Sequence, residues 1–248
     1  MTNNNPFSLE GKTILVTGAS SGIGRATAIE CAKQGARLVI TGRNEARLAE
    51  TYSQLEGEGH LQIVADLCKQ EDIDRLVAET PALNGLVNNA GQNSLVTVNY
   101  IEQADLDSVY QTNVFAPILL TKELLKKRKI TKGGSIVFTS SISTSLSTPA
   151  NGLYASTKAA ITSYMRTCAV ELGGRGIRSN AVLPGTIETQ LGTGTIPDEL
   201  IAKDKEHYVL RRYGKPEEVA YAIIYLLSDA AAWVTGTSLV IDGGRLLK

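Results

Sequence analysis

Tyr154 and Lys158 stand four residues apart in the stretch GLYASTKAAI (152–161), among small residues that a helix accepts. On a helix, positions i and i+4 share a face with Cβ atoms about 5–6 Å apart, so a phenol and an ammonium at this spacing can act together. A free phenol titrates near pH 10 and is a poor base at neutral pH. A neighbouring ammonium favours the phenolate and draws that pKa toward the working range. The chemistry open to the pair is proton transfer at a substrate oxygen. The same spacing also arises on solvated helix faces, so the pair takes its meaning from its surroundings.

A second group with chemical potential is TGASSGIG (17–24), between the first apolar run and a helical pattern. Gly18, Gly22 and Gly24 form G-x-x-x-G-x-G, with Ser20, Ser21 and Ile23 between them. Glycine permits unusual dihedrals and close approach, and a helix N-terminus offers free N–H groups and a favourable dipole to a pyrophosphate. A bare strand–helix turn would have no use for three glycines and two serines. The end of the second apolar run, VITGRNEAR, then places Gly42 where an NAD site carries an acidic residue, with Arg43 next. A carboxylate there would repel a 2′-phosphate, whereas a guanidinium can pair with one. This predicts NADP(H) over NAD(H), with a solvated loop charge at Arg43 as the other reading.

The elements that must position these groups follow from periodicity. Apolar runs at 13–17, 37–41, 61–65, 85–89, 135–139, 177–183 and 238–241 lack clean polar alternation, which suits strands buried on both faces. Helical spacing covers 22–34, 45–55, 71–79, 106–128, 153–172 and 216–228, with Pro216 at a first-turn position. Such alternation predicts an α/β fold, a Rossmann-type doubly wound parallel sheet of seven strands with helices on both faces, in one domain over 1–248. The Gly-, Ser-, Thr- and Pro-rich segments 142–152 and 184–207 follow strands and should border the ligand crevice.

Composition narrows the partners. Among 248 residues, Lys plus Arg and Asp plus Glu both total 25, so no net field favours nucleic acid or an anionic membrane. One Trp and three Phe leave few platforms for stacking bases. The start MTNNNPFSLEGK lacks a signal pattern, and no apolar run is long enough to span a membrane. Cys31, Cys68 and Cys168 are scattered, with no metal-ligand spacing, as expected of thiols in a reducing cytoplasm. No metal is expected.

Several further motifs, in this order along the chain, resemble the short-chain dehydrogenase/reductase family from about residue 8 to 244. TGASSGIG resembles its TGxxxGIG turn, and Asp66 with Leu67 in VADL resembles the acid after strand three that bonds adenine. NNAG (88–91), with Asn89, Ala90 and Gly91, resembles the cofactor-lining signature after strand four. Asn113 in QTNV resembles the active-site asparagine, and Ser141, thirteen residues before Tyr154, resembles the catalytic serine. Ser140 and Ser143 crowd the same turn, and spacing alone selects Ser141. LPGTIET (183–189), with Pro184, Gly185, Ile187 and Thr189, resembles the family's PG motif, and VTG…IDGG (234–244) its closing signature.

The resemblance implies an NADP(H)-dependent oxidoreductase. Tyr154 would exchange a proton with the carbonyl or alcohol oxygen, and Ser141 would hydrogen-bond that oxygen. Lys158 would lower the phenol pKa, aided by the cationic nicotinamide, and hold its ribose. Asn113 would anchor a water that refills the proton, or serve as a structural kink. PGTIET, GKPEEVA and IDGG resemble the 3-oxoacyl-carrier-protein reductases, whose acidic partner would want a basic dock near the cleft mouth. Lys126, Lys127, Arg128, Lys129, Lys132 and Arg175 are candidates for it, or else form a solvated helix end. ITKGG lengthens this junction, and Leu153 replaces a commoner polar residue. A small free ketone, steroid or polyol is the alternative substrate, oxidation the alternative direction, and a non-catalytic NADP(H)-binding sensor the alternative class. A homotetramer or dimer is implied, built on the helices at 106–128 and 153–172.

Overall fold

A computed structural model of the chain describes residues 5–194 and 197–248. Strands Thr13–Thr17 (β1), Arg37–Gly42 (β2), Leu61–Val64 (β3), Leu83–Asn88 (β4), Ile130–Thr139 (β5), Arg178–Pro184 (β6) and Ser238–Ile241 (β7) form one sheet. All pairings are parallel, in the order β3-β2-β1-β4-β5-β6-β7. The helices are Gly22–Lys33 (α1), Glu45–Tyr52 (α2), Gln70–Glu79 (α3), Gln103–Tyr110 (α4), Ala116–Lys126 (α5), Gly152–Leu172 (α6), Gln190–Thr193 (α7), Asp198–Lys205 (α8) and Pro216–Leu227 (α9). Among the described residues no helix is long and apolar enough to cross a membrane.

Successive strand side chains point to opposite faces, so the sheet carries two cores. Leu15, Val39 and Phe138 pack with Leu76 of α3, Leu120 of α5 and Met165 of α6. Ile14, Val16 and Ile40 pack on the other face with Cys31 of α1 and Ile223 of α9. Burial on both faces is why the strands read as continuous apolar runs. The sheet order reverses between β1 and β4, and a ligand crevice is expected outside the carboxyl ends of those two strands.

Three elements differ from the sequence expectation. The helical pattern at 106–128 is broken by a π-helical turn, Gln111–Phe115, between α4 and α5. Pro117, in the first turn of α5, has no N–H to offer the Asn113 carbonyl four residues back, so the α-helical ladder cannot run through. Strand β5 begins five residues before the expected 135, and its register with β4 jumps from Leu83↔Ile130 to Gly85↔Ser135. The inserted TKGG bulges out there, with Gly133 at φ 75°. The segment 184–207, read as a loop, carries the short helices α7 and α8.

Candidate active site

The glycine turn after β1 forms because two backbones must nearly touch. A Cβ on Gly18, whose φ is 65°, would lie 2.8 Å from the Cα of Ala90. Thr17 ties the same junction: its hydroxyl donates to the Val87 carbonyl at 3.2 Å and accepts the N–H groups of Asn89 and Ala90 at 2.9 and 3.0 Å. Asn89 Nδ2 donates back to the Thr17 carbonyl at 3.1 Å. The turn is thereby held open over the N-terminus of α1. Ser21, the N-cap, makes no side-chain cap, and the first turn of α1 holds no acidic residue. Free amides, a positive helix end and bare glycine surface are what a pyrophosphate requires, so these residues fit a dinucleotide.

Gly18, Ser20, Ser21, Gly22 and Ile23 line one cavity of about 910 Å³, joined by Asp66, Leu67, Asn89, Ala90, Gly91, Pro184, Gly185, Ile187 and Thr189. Gly24, the third glycine of the turn, does not line the cavity but lies behind the turn, where a Cβ would fall 2.2 Å from the Gly18 carbonyl oxygen. Its bareness serves close packing of α1 under the turn. Arg43 lines the cavity from an exposed position and is joined by exposed Arg47, which the sequence reading did not single out. Among the described residues neither guanidinium takes part in an ion pair. Arg47 sits in the first turn of α2, one helical turn beyond Arg43, which is the signal that could have found it.

The other half of the cavity holds Ser141, Tyr154 and Lys158. The crowded serines separate by alternation along the extended chain. Ser140 turns into α6, donating to the Lys158 carbonyl at 3.1 Å and sharing a 2.7 Å bond with Thr162 Oγ1. Ser141 turns toward the cavity, donating to Ser143 Oγ at 3.0 Å and accepting the Ser143 N–H at 3.1 Å. Asn151 Nδ2 donates to Ser143 Oγ at 3.1 Å, extending the network to the start of α6.

Tyr154 and Lys158 share a face of α6 as the spacing predicted, with the ammonium 5.5 Å from the centre of the phenol ring. The electrostatics differ from expectation. Burial raises the Tyr154 phenol above its usual value, and a hydrogen bond with Ser141 pulls it partly back. The Lys158 ammonium is turned to the Thr139 carbonyl, donating at 2.9 Å, and is itself drawn down to about 8 by burial.

Asn113 is buried at the π-helical turn. Its Oδ1 accepts the Gln92 N–H at 2.9 Å, and its Nδ2 donates to the Gln92 carbonyl at 2.9 Å and to Thr157 Oγ1 at 3.1 Å. The expectation that Asn113 anchors a water therefore meets a side chain already engaged, which fastens the segment after β4 to α6. Bare Gly91 lets the groups converge: a Cβ there would lie 3.3 Å from Asn113 Oδ1 and 3.5 Å from Lys158 Nζ.

The basic cluster is not near the cleft mouth within this chain. Lys126, Lys127, Arg128, Lys129 and Lys132 lie at the end of α5 and the start of β5, and Arg175 follows the far end of α6. Ser135 to Thr139 alone spans about 13 Å of strand toward the site. None of the six lines the cavity, and Arg175 Nη2 donates to the Ile130 carbonyl at 3.0 Å. A parallel sheet puts every strand start at the end opposite the crevice, which is why proximity in sequence misled.

A family model described as "Enoyl-(Acyl carrier protein) reductase" matches residues 18–245. A 3-oxoacyl-[acyl-carrier-protein] reductase of Rickettsia prowazekii is 35% identical over 243 residues, covering 96% of this chain and 98% of that protein. An L-rhamnose 1-dehydrogenase (NAD(P)(+)) of Azotobacter vinelandii is 38% identical over 250 residues, covering 96% and 97%. The crystal structure of a putative gluconate dehydrogenase from Agrobacterium tumefaciens superposes with a TM-score of 0.91 at 31% identity, covering 97% of this chain and 98% of that one.

Proposed function

The chain belongs to the short-chain dehydrogenase/reductase family of nicotinamide-dependent oxidoreductases, and from that premise we propose that it is an NADP(H)-dependent carbonyl reductase with Tyr154 as the proton donor. The observation that carries the reading is the convergence, in one cavity, of Ser141, Tyr154 and Lys158 with the uncapped N-terminus of α1. The glycine turn and Thr189 would hold the pyrophosphate, Asp66 and Leu67 would border the adenine, and Arg43 with Arg47 would face the 2′-phosphate.

A bound nicotinamide would supply the hydride to the carbonyl carbon, or accept it from an alcohol. The Tyr154 phenol would deliver its proton to the carbonyl oxygen, and Ser141 would hydrogen-bond that oxygen as charge develops on it. A phenol raised by burial holds its proton at neutral pH and so has one to donate. Lys158, protonated below about 8, would stabilise the phenolate left behind and hold the nicotinamide ribose. Asn113 acts on the site through Gln92 and Thr157, and so belongs to positioning.

NADPH oxidation, followed by absorbance over a panel of ketones with NADH in parallel, tests the reading. Tyr154→Phe is expected to lose nearly all turnover while still binding NADPH by fluorescence. A Tyr154→Phe protein with wild-type turnover sinks it. A variant and a wild type that bind NADPH equally and reduce nothing favour the non-catalytic sensor. The named relative from Rickettsia prowazekii supports a carrier-borne 3-oxoacyl thioester as a second substrate class, and that from Azotobacter vinelandii supports a small free sugar or polyol.

Exposed Phe115 and Val170 flank the helix pair α5 and α6, and Trp233, Tyr221 and Val240 lie exposed around α9 and β7. Two such apolar surfaces support a homotetramer through two kinds of two-fold contact, or a dimer through one. Three free thiols suit the cytoplasm as its place of work.

A further inference from the structure

The proton transfer assigned to Tyr154 leaves one charged group of the same cavity without a task. Resting on that reading, we propose that the substrate carries a carboxylate and that Arg245 pairs with it.

Arg245 opens the last turn of the chain, Arg245–Leu247, and lines the cavity. It is half-buried, and among the described residues its guanidinium takes part in no ion pair. Its place is built by the backbone before it. Asp242 accepts the Gly244 N–H on Oδ1 and the Leu246 N–H on Oδ2, both at 2.9 Å, and its carbonyl accepts the Arg245 N–H at 3.1 Å. The Leu210 N–H donates to the Gly243 carbonyl at 3.1 Å, and a Cβ on Gly244 would fall 2.7 Å from the Val209 side chain. The turn is thus pressed against 208–210.

From there the guanidinium stands 5.8 Å over the centre of the Tyr208 ring. Tyr208 is 3% exposed; its hydroxyl donates to Thr186 Oγ1 at 2.8 Å and accepts the Thr186 N–H at 3.3 Å. Thr186 directly follows Pro184 and Gly185, so one aromatic ring separates Arg245 from the loop that borders the site. A cation–π contact at this distance draws the guanidinium toward the ring and leaves its N–H donors available to a ligand.

Asp204, the carboxylate lining the same wall, is engaged elsewhere. Its Oδ2 accepts the Tyr213 hydroxyl at 2.8 Å, and its Oδ1 lies 3.5 Å from His207 Nδ1. A half-desolvated fork facing a cavity is matched best by a planar carboxylate, which it binds through two parallel hydrogen bonds. The chemistry points to an oxo acid or hydroxy acid. A carrier-borne thioester presents no carboxylate at its reacting end.

Initial rates of NADPH oxidation test this with 2-oxo, 3-oxo and keto-sugar acids, each beside its methyl ester, and with an acetoacetyl thioester on acyl carrier protein. Wild type, Arg245→Gln, Arg245→Lys and Tyr154→Phe are compared, each checked for its thermal midpoint. Wild type is expected to favour at least one acid over its ester. In Arg245→Gln the KM for that acid should rise about tenfold with kcat within about threefold, and Arg245→Lys should recover part of the loss. A preference for esters or thioesters over every acid, or an acid-to-ester ratio identical in wild type and Arg245→Gln, overturns the proposal. If Tyr154→Phe still abolishes turnover in that case, the hydride-transfer reading stands and only Arg245 falls. A wild type that reduces no member of the panel also overturns it, and NADPH binding then judges the family reading separately.

Discussion

The Lys158 ammonium donates to the Thr139 carbonyl oxygen at 2.9 Å from a position 5% exposed, one helical turn from Tyr154. Burial draws its pKa from 10.5 to about 8. Below about 8 both folded and unfolded chains carry the charge, and the folded state bears the full desolvation penalty. Between about 8 and 10.5 the unfolded chain binds the extra proton, so stability rises with pH through that window. Lys158→Met keeps the stem and removes the charge. We expect it to abolish turnover yet raise Tm at pH 7 by about 2–4 °C. The gain should shrink as pH rises from 8 toward 10.5. Thermal unfolding across that range is the check, and a lower Tm for the variant at pH 7 would contradict the assignment.

Asn113 offers a test with the opposite sign. Asn113→Asp would turn a carboxylate oxygen toward the Gln92 carbonyl, where Nδ2 now donates at 2.9 Å. At a position 2% exposed, two facing acceptors are unfavourable by about 3 kcal/mol or more, while a protonated carboxyl restores a donor. The buried acid has a raised pKa, so the deficit should grow as pH rises from 5 to 8. Urea unfolding at both pH values measures it. An equal deficit at the two would mean that the amide bonds to Gln92 and Thr157 carry little.

Much of the fold was legible because burial on both faces makes Ile14, Leu15 and Val16 a continuous apolar run, and the glycine turn announces itself by composition. The break in the helix at 111–115 was readable in principle from Pro117, whose missing N–H acts four residues upstream. Ser140 and Ser141 both border the cavity, and which hydroxyl turns toward it depends on strand alternation at the end of β5, which spacing along the sequence does not display. Tyr208 and Arg245 gave no local signal, and the motif that contains Thr17 does not show what its hydroxyl binds. Thr17 acts on residues more than seventy positions away, and Arg245 reaches the cavity only because 242–244 pack on 208–210. The basic cluster misled because a sequence does not display which end of a parallel strand faces the crevice.

Cofactor choice should divide between two guanidiniums. Arg43 and Arg47 both line the cavity, both are exposed, and neither is paired among the described residues. Solvent screening keeps each contribution modest, so Arg43→Ala or Arg47→Ala should lower the NADPH-to-NADH ratio of kcat/KM by about tenfold, and the double variant by more. NADH kinetics should barely move, because its ribose has no phosphate to lose. Steady-state rates with both cofactors decide it: a ratio untouched in the double variant would remove the 2′-phosphate role from this wall.

Charge reversal at the far end of the sheet separates two substrate readings. Lys132 lies in the bulged start of β5, at the end of the strand opposite Thr139, Ser140 and Ser141. A free ketone enters the cavity without passing it, so Lys132→Glu should leave kcat/KM for such a substrate within about twofold, since an exposed charge is screened over that distance. For an acyl carrier protein the outcome turns on assembly. If each chain worked with its own cleft alone, Lys132→Glu would leave carrier-borne turnover unchanged as well. A tenfold loss confined to the carrier substrate would instead mean that the basic face of one chain lies beside the cleft of another, which only an oligomer can arrange. Rates at low and high ionic strength sharpen the distinction, because a docking contact between Lys132 and an acidic carrier weakens with salt while proton transfer from a buried Tyr154 should not.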